Sequence, residues 1–206
     1  MTDYPADPFA PSPMRHVPVD VYTGAYRVSG KVPTRFSRVA DIVNLYTSSH
    51  LVVEEATVSE YVDPTAELRA LQVLVLMDEV LFVITRETDA PPRPEMRIPK
   101  RPARAQFAIP PFRLTGTVHI AEGSRPVDGI LNAADRFMPM TEVTVVCGAH
   151  PELGVTAEAI AMQRRLAHLI LVTDDDRRDD LLARVLDRDT AERWLHAARD
   201  EPGDVP

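Results

Sequence analysis

Two Arg–Asp pairs repeat one spacing in two places: Arg38 with Asp41, and Arg125 with Asp128. An arginine and an aspartate three residues apart on a turn can close a local ion pair or hold out a charged fork to a ligand. The plainer reading, which is favoured, is that the aspartate caps the following turn and the arginine neutralises it. Cys147 and His150 stand at Cys-x-x-His spacing after a strand-like stretch. They could supply two zinc ligands, but a structural site needs four. The chain has 1 Cys, so His119 or His168 would have to be recruited. As a nucleophile and base the pair lacks an orienting partner nearby in sequence, so a plain loop cysteine is expected. Glu54 and Glu55 invite comparison with a catalytic carboxylate pair beside Asp41, yet neighbours on a strand point to opposite faces. There is no P-loop, dinucleotide-binding glycine loop, HExxH helix or G-x-S-x-G elbow. No catalytic residue, metal or cofactor is therefore assigned.

The elements that carry these residues are written twice. Tyr26-Arg27-Val28-Ser29-Gly30-Lys31-Val32 matches Phe112-Arg113-Leu114-Thr115-Gly116-Thr117-Val118. Arg38 to Val58 aligns without a gap on Arg125 to Val145, and Leu81 to Thr85 resembles Leu169 to Thr173. Three blocks in one order point to a duplication. The first block alternates as a strand does, and a glycine inside a strand marks a bulge or sharp bend. Val39 to Leu45 and its copy are short enough for one helical turn or a loop. Leu51 to Val58 and Met138 to Val145 read as strands. Val73 to Ile84 reads as a hairpin turning at Asp78-Glu79, with Gln163-Arg164-Arg165 at the corresponding turn. Val155 to Met162 is Ala-rich and reads as a strand or a helix.

Composition sets the frame. The 19 prolines cluster in the first 20 residues and in 91–111, which reads as extended segments rather than core. The expected organisation is a disordered Pro-rich N-terminus over 1–18 and repeats over 19–88 and 109–174. A Pro/Arg-rich linker fills 89–108, and 175–206 forms short amphipathic helices with an acidic tail. The linker arginines and lysine, Arg93, Arg97, Lys100, Arg101 and Arg104, are candidate contacts for a partner, for phosphate groups, or for the acidic tail itself. With a net charge of −8 the chain has no global basic field for nucleic acid. No apolar run is long enough to span a bilayer, and the N-terminus does not read as a signal peptide. A lone cysteine fits a reducing compartment, so a cytoplasmic protein is expected. Repeats of this size are marginal alone and should bury apolar surface against each other or another chain.

The order of features resembles the Sm-like barrel: a strand with a glycine, an Asp followed by an Asn, an aliphatic strand ending in acids, and a closing hairpin. The second repeat offers Gly116, Asp128, Asn132 and Met138 to Val145, and the first offers Gly30, Asp41 and Asn44. The Arg-Gly turn of that family is replaced by Asp78-Glu79 and by Arg164-Arg165. Around Arg125, Asp128, Leu131, Asn132 and Phe137 the second repeat is also similar to an uncharacterised bacterial domain family. The resemblance implies a mainly β chain of two tandem SH3-like or Sm-like barrels with a short helical C-terminal appendage. It also implies an RNA- or nucleotide-binding alternative in which Asp128, Asn132, Arg164 and Arg165 line the site. The expectation from duplication without catalytic residues is a non-enzymatic bacterial assembly or adaptor protein. Its partner would be itself, as a homo-oligomer, or another protein. An enzyme of unknown class is the remaining alternative.

Overall fold

Alternating apolar and polar residues drive most of the chain into antiparallel strands, as the side chains at i and i+2 share one face. The computed structural model describes residues 13–63, 65–86 and 100–173. In the first half these are β1 (Arg15–Tyr22), β2 (Tyr26–Thr34), α1 (Val39–Asn44), β3 (His50–Glu60), β4 (Glu67–Leu76) and β5 (Phe82–Thr85). The second half runs β6 (Lys100–Ile109), β7 (Phe112–Ala121), α2 (Pro126–Leu131), β8 (Phe137–Cys147), β9 (Val155–Gln163) and β10 (Leu169–Thr173). A short 3-10 turn leads from β4 toward β5 at Met77–Glu79, and another from β9 toward β10 at Arg164–Leu166. The described residues up to Val172 form one compact unit. The Pro-rich N-terminal residues 1–12, Arg93 and Arg97, and the C-terminal helices expected over 175–206 lie outside the described residues.

The chain is mainly β, but the sheet is not a pair of closed barrels. All ten strands hydrogen-bond in one open sheet in the order β10-β6-β7-β8-β9-β5-β1-β2-β3-β4. The expected closing hairpins are not formed either. β4 pairs with β3, while β5 crosses to pair with β1 on one side and β9 on the other. The Met77–Glu79 turn therefore redirects the chain instead of folding it back on itself. Two segments expected to be extended are strand: β1 begins at Arg15, and β6 takes up Lys100, Arg101 and Arg104. Pro102 sits within β6 opposite His119 of β7, with its ring exposed.

The two halves bend at the same place. The β2/β3 register slips between Ser29 and Lys31, and the β7/β8 register between Thr115 and Thr117. Gly30 and Gly116 occupy the gaps. A Cβ on Gly30 would stand 2.6 Å from the Glu54 carbonyl oxygen, and one on Gly116 would stand 2.8 Å from Val143 Cγ2 and 3.0 Å from the Thr141 oxygen. Opposite each glycine a glutamate adopts a left-handed backbone, Glu55 at φ 49° and Glu142 at φ 53°. One extra residue is accommodated by this bulge, which bends the strand and increases its twist.

Two cores form, and each draws on both halves. Tyr22, Tyr61 and Phe82 of the first half pack with Phe107, Phe112 and Leu114 of the second. Tyr22 stacks on Phe82 with centroids 4.4 Å apart, and Phe112 meets Tyr22, Tyr61 and Phe82 edge-on. The other core gathers Val19, Val32, Ile42 and Leu51 and takes in Phe137 and Ala161 from the second half. The described residues of the two halves thus share both cores.

Candidate functional site

The repeated Arg–Asp turns build the same local structure twice. Arg38 and Arg125 are extended N-cap residues of α1 and α2, and neither contributes a side-chain cap. The Ile42 N–H donates to the Arg38 carbonyl at 3.0 Å and the Gly129 N–H to that of Arg125 at 2.9 Å. Asp41 and Asp128 lie in the first helical turn, where a carboxylate suits the positive end of the peptide dipoles. They do not cap it. Arg38 Nη1 and Asp41 Oδ2 are 4.0 Å apart and half-exposed, a weak contact.

The residues around the end of α2 do converge. Asn132 is the C-cap, its N–H donating to the Asp128 carbonyl at 2.9 Å. Arg164 reaches across from the 3-10 turn and donates to the carbonyls of Leu131 at 2.6 Å and Ala133 at 3.3 Å. Asp128, Asn132 and Arg164 are therefore gathered, but the Arg164 guanidinium is occupied in closing the helix end. Arg165 beside it is exposed. Lys100 is exposed at the start of β6. Arg101 donates to the Ser124 carbonyl at 2.9 Å, and Arg104 lies 3.5 Å from Thr117 Oγ1.

The other candidates serve structure. Cys147 ends β8 opposite Phe112 and is buried in the aromatic core, so it is not a loop cysteine. His150 lies against the Tyr61 ring and Glu152. Burial raises the Tyr61 phenol well above its ordinary value, and its hydroxyl sits 2.8 Å from the Tyr26 carbonyl. Glu54 and Glu55 diverge, Glu54 toward His16 at 3.2 Å and Glu55 toward Lys31 at 2.5 Å. The Lys31 ammonium holds the Glu55 carboxyl below its ordinary range. Among the described residues no three His, Cys, Asp or Glu side chains gather to hold a metal.

Asn44, read from sequence as the counterpart of Asn132, does something else. It ends α1 beside the second half, accepts the Phe137 N–H on Oδ1 at 2.8 Å and donates from Nδ2 to the Phe137 carbonyl at 2.8 Å. The residue at its position in α2 is Leu131. Beside it, Arg136 donates to Asp78 and, at 2.9 Å, to Gln163 Oε1, while Gln163 Nε2 donates to the Asp78 carbonyl at 3.0 Å. These contacts flank the pairing of β5 with β9, where Phe82, Val83 and Ile84 oppose Met162, Ala161 and Ile160.

The surface that sequence reasoning did not single out is the pair of sheet edges. β4 ends the sheet on one side and β10 on the other. Leu68, Leu71 and Leu74 are strongly exposed on β4, and Leu169 is exposed on β10. The signal was the charge-free run Leu71 to Met77, which belongs to a buried strand by composition. No protein-family model, curated protein or solved structure matches this chain.

Proposed function

We propose that this protein is an assembly or adaptor protein built from two copies of one small Sm-like or SH3-like unit. It would act through main-chain pairing at its strand edges rather than through a catalytic centre. The observation that carries this reading is the β5·β9 pairing, where strands of the two halves join edge to edge while, among the described residues, β4 and β10 end the sheet with exposed leucines. Strand addition to an open edge supplies affinity from backbone hydrogen bonds and specificity from alternate side chains. The matching order of elements and the shared glycine bulge support descent of both halves from one unit.

The test is size-exclusion chromatography with light scattering, following absorbance at 260 and 280 nm. A mass above one chain of 22.9 kDa, or a stoichiometric protein companion, is expected. A strictly monomeric protein that retains no partner would overturn the reading. RNA or nucleotide binding would instead show as excess 260 nm absorbance lost in high salt. The turn expected to serve that role has Arg164 already engaged, which weighs against it.

A further inference from the structure

We propose that the unnamed partner is a second copy of this chain, docked head to tail with its β10 along the β4 edge of the first, in the register of the internal β5·β9 junction. The inference rests on the assembly reading and specifies its partner and geometry.

The two halves correspond residue for residue across this region. His50 opposes Leu76 as Phe137 opposes Gln163, so β4 maps onto β9 with Val73, Leu74 and Val75 in the places of Ile160, Ala161 and Met162. The Leu81 N–H donates to the Tyr22 carbonyl as the His168 N–H donates to that of Ala108, both at 2.8 Å. His168 therefore stands where Leu81 stands, and Leu169, Ile170 and Leu171 take the places of Phe82, Val83 and Ile84. One end of the sheet thus carries the β9 side of the junction, and the other end carries the β5 side.

Part of what the junction buries inside the chain is exposed at these outer ends, although Val75, in the place of Met162, stays buried and Ile170 and Leu171 are half-buried. Ala161 is 0% exposed and its counterpart Leu74 is 65% exposed. Phe82 is 0% exposed and Leu169 is 51%. The helices repeat the contrast. α1 lies against β8 and β9 of the other half with Ala40 5% exposed, whereas Val127 at the same place in α2 is 52% exposed. Leu131, at the place of Asn44, is exposed too.

The bare residues are therefore the two faces of one interface, each complementary to the other and neither to itself. A symmetric β4-to-β4 dimer would leave Val127, Leu131 and Leu169 uncovered. The stretch Gln72 to Leu76, where the new pairing would form, has no proline and no charge to oppose strand addition, and the exposed charges of β4, Glu67 and Arg69, lie beyond it. A heterologous contact of this kind uses both ends of each copy and repeats from chain to chain. The register follows: Leu169 opposite Val75, Ile170 opposite Leu74 and Leu171 opposite Val73. The Leu76 N–H donates to the His168 carbonyl, as that of Gln163 donates to Leu81 at 2.8 Å.

Two double variants of the full chain test it, Leu74→Cys with Ile170→Cys, and Val75→Cys with Leu169→Cys. Successive cross-strand pairs alternate between wide and close spacing, so one of the two suits a disulfide. Mild oxidation is expected to give a ladder of multiples on a non-reducing gel from at least one double variant, and none from the single variants. Hydrogen exchange on the unmodified protein gives an independent reading, with protection of the Leu76 amide at high concentration that is lost on dilution. If light scattering shows an oligomer or a companion protein, yet neither double variant ladders and Leu76 exchanges freely, this register is wrong and the assembly reading stands. Dimers from Leu74→Cys alone would mean a symmetric contact and overturn it equally. A monomer without companions removes both.

Discussion

At Gly30 a single missing atom decides the backbone. A β-carbon there would come 2.6 Å from both the Glu54 oxygen and Val53 Cγ1, and the first of these is backbone that cannot rotate away. Gly30→Ala is expected to destabilise the fold by about 1–3 kcal/mol, the usual range for overpacking. Urea titration followed by circular dichroism measures it. Gly24→Ala is the control, since a β-carbon there meets nothing within 4 Å, and its midpoint should barely move. His119 makes a second residue-scale case. Burial lowers its ordinary value of 6.5, helped by the nearby charges of Lys100 and Arg38, and Glu142 opposes them weakly. Its ring Nε2 lies 2.9 Å from Thr141 Oγ1. The unfolded chain then takes up a proton near pH 6.5 while the folded chain does not, so stability falls as the pH drops from 6.5 to the lowered value. Below that value this contribution is constant. His119→Gln should flatten that segment of a stability-versus-pH curve, and an unchanged slope would show that His119 is not its source.

At the scale of elements, α1 packs its apolar face on the second half and adds one polar clasp. Asn44 satisfies both the N–H and the carbonyl of Phe137 at the start of β8. Asn44→Ala leaves both groups short of a partner and is expected to cost about 1–3 kcal/mol, read as a lower thermal midpoint. Asn44→Asp should do no better, because its carboxylate faces the Phe137 carbonyl where the amide donated. Much at this scale was legible in the chain: the glycine bends and the strands flanking them follow from alternation and spacing, whereas the segments after Arg38 and Arg125 read equally as one helical turn or a loop. The pairing partners were not. Val73 to Ile84 has the pattern of a hairpin, and only the neighbouring strands β9 and β1 explain why β5 leaves β4. The final block was matched one residue out, because Leu81 to Thr85 and Leu169 to Thr173 are near-uniform aliphatic runs that look alike at either offset. Asn44 and Asn132 looked equivalent by residue type, yet one bridges the halves and the other ends a helix. For the candidate site the Arg–Asp pairs were recognisable as turns, but the capping expected of Asp41 and Asp128 is not made. The sheet edges were not recognisable as a surface, since a run like Leu71 to Met77 ordinarily signals burial.

Over the whole molecule, the sharing of cores sets how the chain unfolds. The aromatic cluster joins Tyr22, Tyr61 and Phe82 to Phe112, and the second core closes over Phe137 and Ala161. Separating the halves would expose these rings and leave β5 and β9 without their partners. That exposure is large beside the few kcal/mol by which a domain of this size is stable. One calorimetric transition is therefore expected for residues 13–173, with equal calorimetric and van't Hoff enthalpies per cooperative unit. Residues 13–86 expressed alone should lack a cooperative transition and aggregate through β5, whose apolar edge is buried only against β9. Two resolved transitions, or a well-folded monomeric first half, would mean that the halves are independent domains that merely touch. Replacing Phe112 with Ala sharpens the choice. Phe112 contacts three rings contributed by the first half, so its loss should lower the single transition as a whole. In independent domains it would lower only the part belonging to the second half.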